Sequence, residues 1–323
     1  MPVEDYKRNQ TEITDFILLG FGDKAQTLLF LIFLITYAVS VTGNTLIVAL
    51  VIFDRHFHTP MYFFLANLSF LEVFYSSNIF PRLLCALLTG NNMISFSSCF
   101  TQWYLFGSLE ATECCLLCAM SYDRYLAICK PLHYATIMQT QTCIQLVAAS
   151  WINGFITIVT LFHLMLQLTF CSSNEMDHYF CDYFSLLNLS CTDTSLIENI
   201  GFIVAVLFTL PPFLLTLISY IYIIAAVWKI PSTTGRQKAF STCSSHLIVV
   251  SIFYGSLMIV YMLPKNNVNR KIEKNSSLLY TVVPPLTNPF IYSLRNKEVK
   301  KALKNNIKNI YLFIYLFVCL FVF

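Results

Sequence analysis

Charge is scarce in this chain: Asp, Glu, Lys and Arg make up 11% of its 323 residues, while 57% are hydrophobic. So small a charged fraction excludes a soluble domain of ordinary composition. Glycine is scarce as well, nine in all, and none lies in a phosphate-cradling loop, which removes nucleotide-binding signatures. His56, His58, His133 and His246 stand near the ends of apolar runs, and His163 and His178 are isolated from them. No paired His–Glu–His spacing supports a metal centre, and no Ser/His/Asp arrangement supports nucleophilic catalysis. The chain reads as a non-enzyme with no metal site. Residues 1–27 are polar and lack the short apolar core of a signal peptide, so the first spanning helix is expected to serve as its own insertion signal.

What is abundant is hydrocarbon. Apolar runs occupy about 28–53, 61–88, 99–129, 142–168, 200–228, 239–263 and 278–294. A helix of about 20 apolar residues crosses roughly 30 Å of bilayer, so the expected fold is an all-α seven-transmembrane bundle. Its parts are an N-terminal segment 1–27, a membrane domain 28–294 and a C-terminal segment 295–323. Basic residues mark the inner side: Arg55 follows run one, Lys130 run three, Lys229, Arg236 and Lys238 run five, and six lysines and arginines from Arg295 to Lys308 follow run seven. The loop between runs four and five holds Glu175, Asp177, Asp182, Asp193 and Glu198 and lacks Lys and Arg. The N-terminus is therefore expected outside a plasma membrane, where the sequon at Asn9 is usable for glycosylation. Lys265, Arg270, Lys271 and Lys274 form a basic outer loop that this rule does not explain. Of twelve cysteines, Cys99, Cys171, Cys181 and Cys191 fall in or beside outer loops, and four cysteines permit three pairings.

The third run ends in Met120-Ser121-Tyr122-Asp123-Arg124-Tyr125-Leu126-Ala127-Ile128-Cys129-Lys130-Pro131-Leu132-His133-Tyr134. A lone cation at a membrane edge reads as a snorkelling anchor. An acid, a base and two tyrosines in succession read better as a charge pair that biases a two-state element. Further stretches are His58-Thr59-Pro60-Met61-Tyr62-Phe63-Phe64-Leu65, Lys238-Ala239-Phe240-Ser241-Thr242-Cys243-Ser244-Ser245-His246-Leu247, and Pro285-Leu286-Thr287-Asn288-Pro289-Phe290-Ile291-Tyr292-Ser293-Leu294-Arg295-Asn296. With Gly43-Asn44 and Ser219-Tyr220, these resemble the vertebrate odorant receptors of the rhodopsin-like G-protein-coupled superfamily, from residue 9 to about 304.

The resemblance implies a receptor for a small volatile or lipophilic molecule, coupled to the stimulatory G protein of olfactory neurons. It implies coupling and switch roles for Asp123, Arg124, Tyr125, Tyr220, Lys238 and Tyr292. It implies a ligand site of Phe106, Gly107, Glu110, Ala111, Val204, Phe208, Leu257, Tyr261 and Leu278, with Tyr254 as floor. It also implies disulfides Cys99–Cys181 and Cys171–Cys191, and a polar core of Asn44, Glu72, Glu113 and Asn288. Two readings of that core stay open: two carboxyls sharing a proton or holding a small cation such as sodium, and a hydrogen-bonded packing cluster. Because no acid precedes the sixth run, Arg124 is expected to be restrained by Asp123 and polar neighbours. Pro289 breaks the ladder of its helix and leaves a bendable point whose freed carbonyl needs a polar neighbour such as Asn288. Glu110 departs from the small residue usual in the family. It reads either as a carboxyl that keeps its proton and hydrogen-bonds a neighbouring helix, or as a tuning element that favours donors.

Two other classes of polytopic membrane protein fit the sequence less well. A ligand-gated cation channel needs the opposite orientation and lacks the Asp123-Arg124 signature, and a transporter calls for internal repeats that are absent. Nucleic acid is not an expected partner, whereas membrane lipid is. Leu303, Ile307 and Ile310 line one side of a lysine-rich amphipathic segment suited to an anionic inner leaflet. The run 310–323 spans only about 21 Å if helical. It reads as a terminus from an altered reading frame rather than an interfacial anchor.

Overall fold

The computed structural model describes residues 14–22, 25–171, 173–229, 232–262, 267–289, 299 and 301–302. Long helices dominate: α1 (Gln26–Phe53), α2 (Pro60–Thr89), α3 (Phe96–Cys129), α5 (Thr140–Met165), α7 (Ser195–Trp228), α8 (Thr233–Met262) and α9 (Asn267–Pro289). Two short helices, α4 (Pro131–Ile137) and α6 (Tyr183–Asn188), lie between them. Local signals set the boundaries. Pro60 opens α2, where its missing N–H costs nothing, and Gly90 closes it at φ +71°. Ser95 caps α3 by accepting from the Ser98 N–H, and Asp182 caps α6 by accepting from Phe184 and Ser185.

Helix α3 is the centre of the bundle, packed against α2, α5, α7 and α8. Its approach to α5 depends on Gly154. A Cβ there would stand 2.7 Å from the Ser108 carbonyl oxygen and collide with Thr112. Helix α7 is the converse. Ile203, Leu207, Leu214, Ile218 and Ile221 are exposed along it, the surface a helix presents to lipid rather than water. By length and composition alone α1, α2, α5 and α7 can cross a membrane, and α8 holds a shorter apolar stretch, Leu247–Tyr261.

One end of the bundle is closed by covalent and sheet structure. Strand β1 (Asp15–Leu18) pairs antiparallel with β2 (Met93–Ser95) and parallel with β3 (Glu175–Met176). Disulfides join Cys99 to Cys181 and Cys171 to Cys191. Gln102 reinforces the first: its side chain donates to the Asn78 carbonyl at 2.7 Å and accepts from the Cys181 N–H at 2.9 Å. The basic loop beside this end finds part of its explanation here. Lys274 pairs with Asp177 at 2.6 Å, so one of the four cations neutralises the acidic loop. Helix α9 starts at Asn267 rather than at 278, because its first turns are polar and carry no hydropathy signal.

Candidate functional site

Beneath the disulfide end lies a cavity of about 80 Å³ between α3, α5, α7 and α8, roofed by Asp182 and Tyr183. Phe106, Gly107 and Ala111 of α3, Val204 and Phe208 of α7 and Leu257 of α8 make most of its wall apolar. Tyr183 forms the roof because its ring stacks on Trp103 at 5.9 Å and its hydroxyl donates to the Ile197 carbonyl at 2.7 Å. Glu110 is the polar group in the α3 wall. The Tyr261 hydroxyl donates to its Oε2 at 3.0 Å, tying α8 to α3. A second tie lies lower, where the Tyr254 hydroxyl donates to the Cys114 carbonyl at 2.9 Å.

Deeper in the bundle, Asn288 Nδ2 donates to Glu72 Oε1 at 2.6 Å, and Asn44 Nδ2 donates to the carbonyls of Ser40 and Pro285 at 3.0 Å each. Pro285 holds the carbonyl that Pro289 cannot pair, four residues earlier on α9. Its partner is Asn44 of α1, not Asn288, a correction to the sequence reading. Asn288 is committed to Glu72 instead. Asn44 Oδ1, Glu72 Oε2, Asn288 Oδ1 and both Glu113 oxygens are buried without a hydrogen-bond partner among the described residues. Such an all-oxygen set fits a proton or a small hard cation in donor chemistry. The described residues contain no cluster of three or more His, Cys, Asp or Glu able to hold a metal.

At the far end of α3 the carboxylate of Asp123 is 1% exposed and fully engaged. Arg124 donates to its Oδ2 from Nε at 2.8 Å and also from a terminal nitrogen. The Tyr134 hydroxyl donates to Oδ1 at 2.8 Å. Burial, and then the Asp123 charge, push the Tyr134 phenol well above its ordinary range, so it remains a donor. Tyr220 is buried with Ile223 and Val227 against Tyr125.

The family model for olfactory receptors matches residues 33–310. Olfactory receptor 2AP1 of Homo sapiens is 50% identical over 296 residues, covering 91% of this chain and 96% of that protein. Olfactory receptor 6C3 of Homo sapiens is 50% identical over 299 residues, covering 91% and 95%. The chain belongs to the olfactory receptor family. As an olfactory receptor it is a multi-pass membrane protein, its seven spanning helices being α1, α2, α3, α5, α7, α8 and α9. Membership weighs against the channel and transporter alternatives.

Eight of the ten residues assigned to the receptor's ligand site share the one cavity: Phe106, Gly107, Glu110, Ala111, Val204, Phe208, Leu257 and Tyr261. Tyr254 and Leu278 do not line it. Tyr254 packs on Phe213 at 5.5 Å with its hydroxyl occupied below the cavity. Leu278 belongs to α9, whose Tyr280 packs on the cavity-lining Phe106 with ring centroids 5.9 Å apart. Sequence reasoning missed Ile158 and Leu161 of α5 and Asp182 and Tyr183 of the roof. The available signal was the position of Asp182 and Tyr183 directly after a cysteine bonded to α3. Among the polar-core residues, Asn288 meets Glu72, while Asn44 bonds backbone and Glu113 makes no direct hydrogen bond. Asn9, Tyr292 and the Lys238 side chain lie outside the described residues, as do Leu303, Ile307 and Ile310.

Proposed function

We propose that the receptor binds a small volatile or lipophilic odorant in the cavity between α3, α5, α7 and α8, and activates a stimulatory heterotrimeric G protein, the olfactory type, at the Arg124 end. The observation that carries this reading is one helix with two sites. Helix α3 contributes the cavity wall at one end and the Asp123–Arg124 pair at the other. A ligand in the cavity touches α3 and α8 together, on either side of the Tyr261–Glu110 bond. Ligands shift populations only through differential contacts with two states, and a contact spanning two helices is where a change in their separation is felt. Movement of α8 from α3 would uncover Arg124 and the Lys238 region to the G protein.

The receptor resides in this reading in the plasma membrane, with the N-terminus and the disulfide end extracellular. Support comes from the acidic loop at that end, the basic residues at the other and the oxidising compartment that disulfides require. The lysines after Arg295 would meet anionic lipid of the inner leaflet. Asn44, Glu72, Glu113 and Asn288 would hold a shared proton or a small cation, which would supply the charge balance that a pair of buried carboxyls needs. The decisive experiment is an odorant screen on epitope-tagged receptor with cyclic-AMP output and co-expressed olfactory stimulatory Gα. Ligand-dependent cyclic AMP that requires this subunit is expected. Absence of any response at verified surface level, or an N-terminal tag that antibody reaches only after permeabilisation, refutes the reading.

A further inference from the structure

We propose that the cavity is built for a small protonated amine, an ammonium group on an apolar body, and that Glu110 receives the ammonium. The inference rests on the odorant-receptor reading and names its ligand class.

Glu110 lines the cavity and is 8% exposed. Its Oε2 accepts from Tyr261, and its Oε1 has no hydrogen-bond partner among the described residues. A buried acceptor left unpaired is destabilising, and more so when charged. That cost is removed by any occupant that brings a donor to Oε1. The cavity also has a sign. Asp182 is its second carboxyl, and no Lys, Arg or His is among the described residues that line it. Asp182 is occupied in capping α6, through Phe184 N–H at 3.0 Å and Ser185 N–H at 3.2 Å, so it contributes negative potential rather than a free contact. Lys274 of the basic loop is bound to Asp177 and not to Asp182.

These features rank ligand classes. A hydrocarbon fills the apolar wall and leaves Oε1 unpaired. An alcohol supplies one neutral donor. An ammonium supplies three donors and the charge that a carboxylate in a low-dielectric cavity lacks. A carboxylic acid brings a third carboxyl beside two others and is rejected. The aliphatic body then lies on Phe106, Val204 and Phe208, where each buried methylene adds to affinity.

The test uses the full-length tagged receptor in cells, with cyclic-AMP output and surface level measured together. The probes are straight-chain primary amines from propylamine to octylamine, each with its matched alcohol and carboxylic acid. Amines are expected to act at concentrations about tenfold below the matched alcohols, with the acids silent. Glu110→Gln keeps an acceptor for Tyr261 but removes the charge. It is expected to weaken amines about tenfold and alcohols less than about threefold. Equal shifts for both classes overturn the proposal and leave Glu110 a structural tie between α3 and α8. If the variant does not reach the surface, the wild-type ranking decides: alcohols or acids outperforming amines overturns the proposal. Silence to amines with a response to neutral odorants overturns it while the receptor reading stands. Silence to every class at full surface level overturns both.

Discussion

The two halves of α3 each bury a carboxyl and treat it oppositely. At the inner end Asp123 has both oxygens occupied, Oδ2 by Arg124 and Oδ1 by Tyr134. In the outer half Glu110, which lines a cavity, has one oxygen held by Tyr261 and the other without a hydrogen-bond partner among the described residues. A saturated carboxylate stores a conformation, because any movement must first break bonds to a charged group, each contributing about 1.5–3 kcal/mol. A half-satisfied one has an opening for a ligand. The same helix thus carries a site waiting for a partner and a site that must lose one.

The largest expected effect follows from breaking the inner end. If the bonded Arg124 is the group that is released to the G protein, Arg124→Ala abolishes ligand-driven cyclic AMP while the receptor still reaches the surface. Surface labelling and cyclic-AMP assay on the same cells check this, and a full response at equal surface level removes Arg124 from the mechanism. Asp123→Asn works in the other direction. It weakens the hold on Arg124 and raises ligand-free cyclic AMP several-fold.

The outer end is broken most directly at its covalent tether. The Cys99–Cys181 bridge spans 82 residues of sequence and Cys171–Cys191 spans 20. Loop-closure entropy grows with the logarithm of that span, so the longer bridge contributes about 1 kcal/mol more. Cys99→Ser is expected to lower surface level strongly and Cys171→Ser less, as read by flow cytometry with an N-terminal tag. The reverse order contradicts the entropic account.

Legibility in the sequence follows the same division. Helices α1, α2, α5 and α7 announce themselves by hydropathy. Helix α3 dilutes that signal with Glu110, Glu113, Asp123 and Arg124, and α9 with its polar first turns, so the apolar run that marks α9 begins only at 278. The groups that do the work conceal the spans that hold them. In the site, residues on α3, α7 and α8 were legible from family motifs. Asp182, Tyr183, Ile158 and Leu161 were not, since they reach the cavity through a disulfide and through the close α3–α5 contact at Gly154. Strands β1–β3 were hidden too, each being four residues or fewer and paired across distant parts of the chain. The carbonyl freed by Pro289 was assigned to the adjacent Asn288 because sequence shows neighbours along the chain and not across it.

The acid response sharpens the comparison further, because a buried base serves the outer end. His178 stacks on Tyr179 and meets Phe180 edge-on, and burial pushes its pKa from 6.5 to about 4. The unfolded chain therefore binds a proton that the folded one refuses between these values. Stability is full above pH 6.5 and is lost as pH falls toward 4, by at most about 3 kcal/mol. In detergent-solubilised receptor the unfolding temperature should fall between pH 7 and pH 5. His178→Asn should flatten that dependence, and an unchanged slope in the variant assigns the acid response to other groups.

The smallest expected effect belongs to Tyr134, and it tests whether saturation itself is what holds the inner end. Tyr134→Phe deletes only the hydroxyl that donates to Asp123 Oδ1 and keeps the ring, which packs on the main core. The Arg124 contact at Oδ2 is untouched, so the pair survives with one of its two oxygens unpartnered, the condition of Glu110 at the other end. Tyr134 is partly buried, so solvent recovers part of the lost bond, leaving about 1 kcal/mol. That corresponds to roughly a fivefold rise in the released fraction at most. Ligand-free cyclic AMP should rise less than in Asp123→Asn, with odorant potency modestly improved and maximal response unchanged. A variant as active as Asp123→Asn would place the restraint in Tyr134 rather than in the ion pair. One indistinguishable from the parent would mean that Arg124 alone holds Asp123, and that full occupancy of the carboxylate adds nothing.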